Sequence, residues 1–273
     1  MSMELSIIVS TYNRPKALEI VLRSLCIQID QACEIIVADD GSTKETFETV
    51  NRIRSEYPSL YIRHVWQPDE GFRLARIRNL AVQEARSEYL IFLDGDCVAS
   101  PNFIKYHKTL REVGWIVYGQ RILTSKKFCE RIENFEYSVE SPRFWSKCNF
   151  LKNRILNNIN RILPALYIPL NSLRKINPKK WQKIRGCNWA IWKKDYLRVN
   201  GSDETFYGWG SEDKDLAVRL LNAGVQIKSG IFGPYVLHLW HPIVSRDDDK
   251  DKIKKVIERL ENGQTLPEKG IYN

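Results

Sequence analysis

Short apolar runs rich in Ile and Val alternate with longer amphipathic stretches through the first third of the chain. The runs have the length and β-branched content of buried strands, and they span residues 5–10, 34–38, 60–66 and 89–93. We predict helices between them, at 15–27, 43–57 and 71–86. Pro15 suits a first helical turn, and Thr43 suits a helix cap. Strands separated by helices of this length need crossover connections, so the pattern predicts an α/β, Rossmann-like fold with a mostly parallel sheet flanked by helices.

The second half of the chain has shorter and less regular elements. Predicted helices span 101–113, 212–223 and 252–260. Predicted strands span 115–122 and 187–192, and a further apolar stretch spans 225–241. The chain is therefore divided into an amino-terminal half (1–123), a basic insert (124–184), a smaller second half (185–245) and a charged tail (246–273).

Polar residues follow three of the four strands predicted in the first part of the chain. They are Ser10-Thr11, Asp39-Asp40, and Asp94 with Asp96. In parallel sheets with helical crossovers, ligands bind outside the carboxyl ends of the strands. These side chains are therefore expected to converge on one crevice, which is the predicted functional site.

Asp94-Gly95-Asp96 places two carboxylates one residue apart at a strand end. Such a pair can hold a hard divalent cation and leave coordination positions open for a phosphate. A polar turn that closes the strand is the other interpretation. His238 and His241 follow an apolar run, and an imidazole ligand would favour Mn²⁺ over Mg²⁺. Without that context, a hydrogen-bonded place in the core or at a sheet edge is the ordinary role of such histidines.

Residues 208–213, GWGSED, combine a tryptophan between two glycines with two adjacent acids. Acids in a first helical turn commonly act as caps or as partners of the helix dipole. The functional interpretation makes one acid a general base and the other a hydrogen-bond acceptor for a sugar hydroxyl. The two glycines would let Trp209 present its face to a sugar ring.

Other polar residues near the crevice also have two interpretations. Asp40 could accept the N–H of a nucleotide base, or it could belong to a turn. Arg73, Arg76 and Arg78 lie on or near one predicted helix and could bind phosphate. Solvated arginines are the default on a helix, so the pattern alone does not choose among them.

Several segments occur in the order and spacing of a known family. IIVSTYNRP, IIVADDGS, GFRLARIRN and YLIFLDGDCV together resemble the nucleotide-binding half of glycosyltransferase family 2, with the GT-A fold. RGCNWAIWKKDYLRVNGSDETFYGWGSEDKDLAVRL resembles the acceptor-side half that galactosyltransferases share with chondroitin polymerase-type enzymes. These resemblances cover about residues 4–123 and 185–242 and leave the basic insert and the tail outside.

The resemblance implies a role for each candidate residue. Donor-binding positions are Ser10 or Thr11, Asp40, Arg78 and Asp94. Metal-binding positions are Asp94, Asp96 and His238, with His241 as the alternative histidine. Asp213 matches the base that deprotonates the acceptor hydroxyl, while Glu212 and Trp209 hold the acceptor.

The implied enzyme is an inverting, metal-dependent glycosyltransferase with a nucleotide-sugar donor. The resemblance favours UDP as the nucleotide and Mn²⁺ as the metal. It also implies a glycan or lipid-linked glycan acceptor, in the synthesis of bacterial surface polysaccharide or lipopolysaccharide. No nucleic-acid partner is expected.

The net charge of +9 comes from one segment. Residues 141–194 contain 13 Lys and Arg and no Asp or Glu, which leaves 29 of the 42 basic residues and all 33 acids for the rest of the chain. Between Phe144 and Trp181, apolar residues recur near helical spacing. This pattern predicts a basic amphipathic element on an anionic membrane surface. Packing of the apolar stripe on the catalytic core and recognition of an acidic acceptor are the alternatives.

The expected location is the cytoplasm, with a peripheral position on the inner face of the membrane. The first residues lack the basic start and the long apolar run of a signal peptide. No apolar run reaches the ~20 residues of a membrane span. The six cysteines form no Cys-x-x-Cys pair, so we expect free thiols, as in a reducing compartment.

Two other classes of protein share single features with this chain. A haloacid dehalogenase-type phosphohydrolase also ends a strand in Asp-x-Asp. That strand would lie near the amino terminus, and a later acidic pair would follow an apolar strand. Here three strands precede the motif, and the later acids, at 247–249, lie in a charged stretch. A nucleic-acid-binding protein would explain the basic charge but not the acids at the strand ends.

Overall fold

The computed structural model describes residues 3–29, 32–168, 172–242 and 249–272. The strands are β1 (Leu5–Thr11), β2 (Cys33–Asp39), β3 (Tyr61–Trp66), β4 (Tyr89–Asp94), β5 (Cys97–Ala99), β6 (Trp115–Tyr118), β7 (Gln120–Leu123), β8 (Asn188–Trp192), β9 (Gln226–Ser229) and β10 (Tyr235–His238). The helices are α1 (Pro15–Cys26), α2 (Lys44–Glu56), α3 (Leu74–Glu84), α4 (Phe103–Leu110), α5 (Lys126–Glu133), α6 (Lys147–Ile155), α7 (Lys193–Arg198), α8 (Glu212–Asn222) and α9 (Asp249–Glu261). Short 3₁₀ turns occur at Leu163–Ala165, Ser172–Lys175 and Trp181–Lys183.

The described strands include a seven-stranded sheet in the order β3-β2-β1-β4-β8-β6-β9. Strand β8 runs antiparallel to both of its neighbours, and the other pairings are parallel. Side chains alternate across the sheet, so Ile7 and Val9 of β1 enter one core layer while Ile8 enters the other. Burial on both faces explains the continuous apolar runs of the sequence. The predicted α/β fold with a mostly parallel sheet is confirmed.

Helices cover both faces of this sheet. Apolar residues of α1 and α2 pack on one face. Apolar residues of α3, α8 and α9 pack on the other. Within the ranges that the structure describes, no helix is long and apolar enough to cross a membrane.

A second sheet, β5-β10-β7, lies beside the main one. The predicted strand 115–122 was wrong as a single element, because the chain breaks at Gly119 and its two parts, β6 and β7, join different sheets. The apolar stretch 225–241 divides in the same way, into β9 and β10. In the small sheet His238 pairs with Cys97, which brings the histidine to the segment that follows β4.

Three predicted helices differ at their ends or caps. The helix predicted at 71–86 begins only at Leu74, because Gly71 has a positive φ of 83° and Arg73 is not helical. The helix predicted at 101–113 is confined to α4. Thr43 occupies the N-cap position of α2, but its side chain makes no capping hydrogen bond.

The basic insert is only partly a helix. Its aromatic residues Phe144, Trp145 and Phe150 pack against the core beside Tyr235 of β10. Outside that contact, Leu151 and Ile155 of α6 are 52% and 70% exposed. The predicted amphipathic stripe therefore separates into a part that packs on the core and a part that faces solvent.

Candidate active site

The strand ends that carry polar residues meet at one edge of the main sheet. Ser10 is the register partner of Asp94, and Thr11 is the partner of Asp39. A cavity of about 840 Å³ opens there, within the usual range for small-molecule sites. The structure brings all of the predicted site residues to its lining, namely Ser10, Thr11, Asp40, Arg78, Asp94, Asp96, Trp209, Glu212, Asp213, His238 and His241. The convergence expected from the sequence is confirmed for these residues but not for Asp39, which is absent from the lining and instead lies 2.8 Å from His64 Nε2. The role of each residue stays a prediction.

The Asp94-Gly95-Asp96 turn is held tightly against β1. The Gly95 N–H donates to the Ser10 carbonyl oxygen at 2.7 Å. A Cβ at position 95 would lie only 2.9 Å from that oxygen, so a larger residue would push the turn away from β1. Glycine thus allows the two carboxylates to stand side by side at the cavity wall.

Asp96 lies between two positively charged or protonatable groups. Its Oδ1 is 3.2 Å from His238 Nε2, and its Oδ2 is 2.9 Å from Arg14 Nη1. Burial opposes ionisation of Asp96, but the hydrogen bond and charge of His238, together with Arg14, lower its pKa to about 2. Burial likewise opposes the charge of His238, yet contact with Asp96 raises the pKa of the imidazole. His241 Nε2 lies 3.8 Å from Asp96 Oδ2, so both histidines reach this carboxylate and His238 is nearer.

Arg78 is buried beneath the cavity wall, where it joins the two acidic parts of the site. Its guanidinium donates to Asp94 Oδ1 at 3.1 Å and to the Gly186 carbonyl at 3.0 Å. It also lies 3.7 Å from Glu212 Oε1. Burial raises the pKa of Asp94, and the charge of Arg78 opposes that rise. With a side chain only 2% exposed, Arg78 fixes the positions of carboxylates in addition to lining the cavity.

The loop before α8 adopts unusual backbone conformations. Gly208 and Gly210 have positive φ values of 73° and 106°, which favour glycine. Ser211 also has a positive φ of 67°, which is costly for a residue with a side chain and is often found at functional sites. The Trp209 carbonyl accepts a hydrogen bond from Lys252 at 3.2 Å. The loop conformation is therefore held in part by α9.

The adjacent acids of α8 have different environments. Asp213 Oδ2 accepts a hydrogen bond from the Gly186 N–H at 2.7 Å. Glu212 Oε2 is buried without a hydrogen-bond partner among the described residues. Burial, the charge of Asp213 and then that of Asp94 raise the pKa of Glu212 to about 7, against the opposing charge of Arg78. The site therefore contains one anchored carboxylate and one that changes protonation near neutral pH.

Asp40 lies in the cavity wall directly after β2. Its carboxylate accepts hydrogen bonds from the Gln67 side chain and from the Arg73 N–H, the latter at 2.8 Å. Burial raises the pKa of Asp40, although these hydrogen bonds oppose the rise. Tyr12 and Phe72 line the cavity near this wall. The Arg73 and Arg76 side chains do not line it.

Sequence reasoning missed several basic residues of the cavity. They are Arg14, Arg121, Arg185 and Lys214. Arg14 follows β1 at the same strand end as Thr11, and Lys214 follows Asp213, so their positions in the sequence were available signals. Arg121 and Arg185 depend on how the second sheet and the start of β8 are placed, which no local pattern reveals.

Helix α9 of the charged tail contacts buried acids close to the acidic loop. The Arg259 guanidinium of α9 contacts Asp215 Oδ1 at 2.5 Å and Asp203 Oδ2 at 2.7 Å, and all three side chains are buried. Asp215 belongs to α8, two residues after Asp213, and Asp203 precedes the 208–211 loop. The tail was predicted to be helical, but this connection to the acidic loop was not predicted.

The structural neighbours of this chain are glycosyltransferases of the GT-A fold. S. aureus TarS in complex with UDP has a TM-score of 0.63 and 15% identity, covering 96% of this chain and 65% of that one. GalNAc-T7 with UDP, GalNAc and Mn²⁺ has a TM-score of 0.63 and 14% identity, covering 99% and 52%. At these identities the likeness supports the fold.

The chain belongs to glycosyltransferase family 2. The profile of Glycosyl transferase family 2 matches residues 6–161, and the N-terminal domain of galactosyltransferase matches residues 170–241. Both resemblances read from the sequence are confirmed, although the matched ranges also take in most of the insert 124–184, which the resemblance had left outside. Membership of this family places the chain among the transferases rather than the phosphohydrolases. The acids at 247 and 248, considered for the latter class, lie outside the described residues.

Relatives of known name span much of this chain. Chondroitin synthase of Escherichia coli is 30% identical over 263 residues, which is 94% of this chain and 38% of that protein. Validoxylamine A glucosyltransferase of Streptomyces hygroscopicus subsp. jinggangensis (strain 5008) is 28% identical over 233 residues, 81% of this chain and 52% of that protein. This chain therefore spans between about a third and a half of these relatives.

Proposed function

We propose that this glycosyltransferase moves a hexose or an N-acetylhexosamine from a UDP-linked donor to a hydroxyl group of a glycan, with inversion and with a divalent metal. The observation that carries the proposal is the arrangement of one cavity. The acids of α8 line it together with Asp94, Asp96 and His238, and Arg78 contacts both Asp94 and Glu212. A base and a site for a charged leaving group are the two parts that a single displacement needs.

The donor would lie across the carboxyl ends of β1, β2 and β4. Asp40 would accept the N–H of a uracil base, and the aromatic residues Tyr12 and Phe72 line the same cavity. The diphosphate would then lie among the basic side chains of the cavity, which offset its charge. Arg78 would keep Asp94 and Glu212 in place while the donor binds.

The residues beside Asp96 fit a divalent metal. A carboxylate oxygen and an imidazole nitrogen lie 3.2 Å apart, and Asp94 adds a second carboxylate. This mixture of oxygen and nitrogen donors suits Mn²⁺, with Asp94, Asp96 and His238 as the proposed ligands and His241 as the alternative. A bound metal would act as a Lewis acid toward the leaving diphosphate.

Asp213 is the proposed base. The Gly186 N–H fixes one of its carboxylate oxygens, which orients the side chain at the cavity wall. It would take the proton of the acceptor hydroxyl as that oxygen attacks the anomeric carbon from the side opposite the diphosphate, so the configuration inverts. Glu212 and the ring of Trp209 would hold the acceptor sugar.

The acceptor class follows from the relatives and from the loop that carries Trp209. Relatives named chondroitin synthase and hyaluronan synthase support a glycan acceptor. We place the reaction in the assembly of bacterial surface polysaccharide or lipopolysaccharide, on a glycan or a lipid-linked glycan.

The exposed face of α6 supports a peripheral position on the inner membrane surface. Cys148, Leu151 and Ile155 recur at helical spacing on that face and are exposed. Lys147, Lys152 and Arg154 flank them, and the surrounding segment 141–194 contains no acid. Apolar side chains bordered by basic ones match an anionic lipid surface, and a lipid-linked acceptor would be presented there.

The test of this function is transfer from a panel of UDP-sugars to oligosaccharide acceptors. Asp213→Asn should reduce kcat by ~10²–10⁴-fold, the usual contribution of a general base, while UDP affinity is retained. Asp195→Asn is a matched control, because Asp195 is a buried acid that does not line the cavity. Transfer by Asp213→Asn at the wild-type rate would contradict the assignment of the base.

A further inference from the structure

A thiol completes a set of metal-ligating atoms beside Asp96. Cys97 directly follows Asp96 and is the register partner of His238. Its Sγ lies 3.6 Å from Asp96 Oδ1, the same oxygen that lies 3.2 Å from His238 Nε2. One donor atom from each of the three residues falls within 4.8 Å of the other two. The carboxylate, imidazole and thiol therefore lie close enough to bind one ion.

The two spacings around Asp96 Oδ1 match tetrahedral coordination. With metal–oxygen and metal–nitrogen bonds of about 2.05 Å and a metal–sulfur bond of about 2.3 Å, tetrahedral edges are about 3.4 Å for O···N and about 3.6 Å for O···S. The two corresponding distances here are 3.2 and 3.6 Å. The strands fix this arrangement, because the three residues belong to β5, to β10 and to the turn that enters β5.

We propose that Cys97 is a third protein ligand and that Asp96, Cys97 and His238 together bind thiophilic divalent ions such as Zn²⁺, Co²⁺ and Cd²⁺. Soft sulfur donors favour these ions over Mn²⁺ and Mg²⁺. As the metal–sulfur bond forms, the thiol proton leaves to solvent. The proposal rests on the metal-dependent function proposed above and deepens it, because for these ions Cys97 takes the place of Asp94 in the ligand set.

Binding of such an ion has a consequence for the reaction. Three protein ligands leave a tetrahedral ion one open position, whereas a diphosphate that chelates the metal needs two. Zn²⁺ would therefore compete with Mn²⁺ and inhibit transfer, and the inhibition would depend on Cys97.

The test is titration of the full chain with Co²⁺, followed by absorption spectroscopy. The expected result is a sulfur-to-cobalt charge-transfer band in the near ultraviolet at one equivalent of Co²⁺. Cys97→Ser and Cys97→Ala should lose the band, and Cys148→Ser, which changes the exposed cysteine, should keep it. Competition with Co²⁺ should show weaker Zn²⁺ binding by Cys97→Ser, by at least the ~10-fold that loss of an outer-shell partner costs.

Each other outcome overturns the Cys97 ligand alone or both proposals together. Absence of the band in a wild-type protein that binds UDP with Mn²⁺ would overturn the thiolate ligand and leave the proposed function intact. Loss of the band in Cys187→Ser but not in Cys97→Ser would assign the sulfur to Cys187, the thiol that contacts Cys97. Failure of the wild type to bind any divalent ion, with or without UDP, would overturn both proposals.

Discussion

Replacing Arg259 by Met tests whether the tail holds the acidic loop in place. The guanidinium joins Asp203 and Asp215, whose side chains are fully buried. Methionine has a similar length, so the main change is that two buried carboxylates lose a cation. Breaking a buried ion pair costs about 3–5 kcal/mol. We expect the lower end, about 3 kcal/mol, because Asp215 keeps its 2.8 Å contact with Arg219 and Asp203 keeps hydrogen bonds from Thr205.

Thermal unfolding followed by circular dichroism measures this cost. For a chain of this size ~1 kcal/mol moves Tm by ~2–4 °C, so Arg259→Met should lower Tm by roughly 6–12 °C. Lys44→Met is the control, since it removes the exposed pair with Glu48 and should leave Tm unchanged. Hydrogen exchange should also speed up at residues 203–213 more than in β1 and β4. A Tm within about 2 °C of the wild type would mean that this buried network does not fasten the loop.

Two further changes are predicted to have measurable effects. Burial and Asp213 raise the pKa of Glu212 from its ordinary value of 4.5 to about 7, so the unfolded chain loses this proton at lower pH than the folded protein does. The stability of the wild type relative to Glu212→Gln should therefore fall between about pH 4.5 and 7 and stay constant above that. A Tm difference that does not change with pH would contradict this, and Glu48→Gln on the exposed face of α2 is the control. Leu151→Ser with Ile155→Ser should reduce sedimentation with anionic vesicles, but not UDP binding. Unchanged sedimentation, or binding to acidic oligosaccharides instead, would contradict the membrane assignment.

The amino-terminal half could be predicted from the sequence because its signals are local. Each buried strand is a continuous apolar run, and each helix between strands has its own periodicity. Parallel pairing then places strand ends at one edge, which is why the residue pattern alone assigns Ser10, Asp40 and Asp94 to one cavity. The Asp94-Gly95-Asp96 turn followed from the same rule.

The parts that the sequence did not predict depend on contacts between distant segments. The break at Gly119 sends β6 and β7 to different sheets, although 115–122 has the pattern of a single strand. Arg14 contacts Asp96, which is 82 residues away in the sequence, and Arg259 contacts Asp203, which is 56 residues away. The single amphipathic stripe predicted for the insert was also incomplete, because some of its apolar residues pack on the core while others, such as Leu151 and Ile155, face solvent.

The thermal stability of the protein with UDP and Mn²⁺ tests most directly whether the cavity is a metal-dependent UDP-sugar site. Ligand at ~100 times its dissociation constant adds ~2.7 kcal/mol, which corresponds to a rise in Tm of roughly 5–11 °C in a chain of this size. We expect that rise for the wild type, its loss with EDTA, and its loss in Asp96→Ala. An unchanged Tm with UDP and Mn²⁺, or an equal rise in Asp96→Ala, would contradict a metal-dependent UDP-sugar site at the ends of β1, β2 and β4.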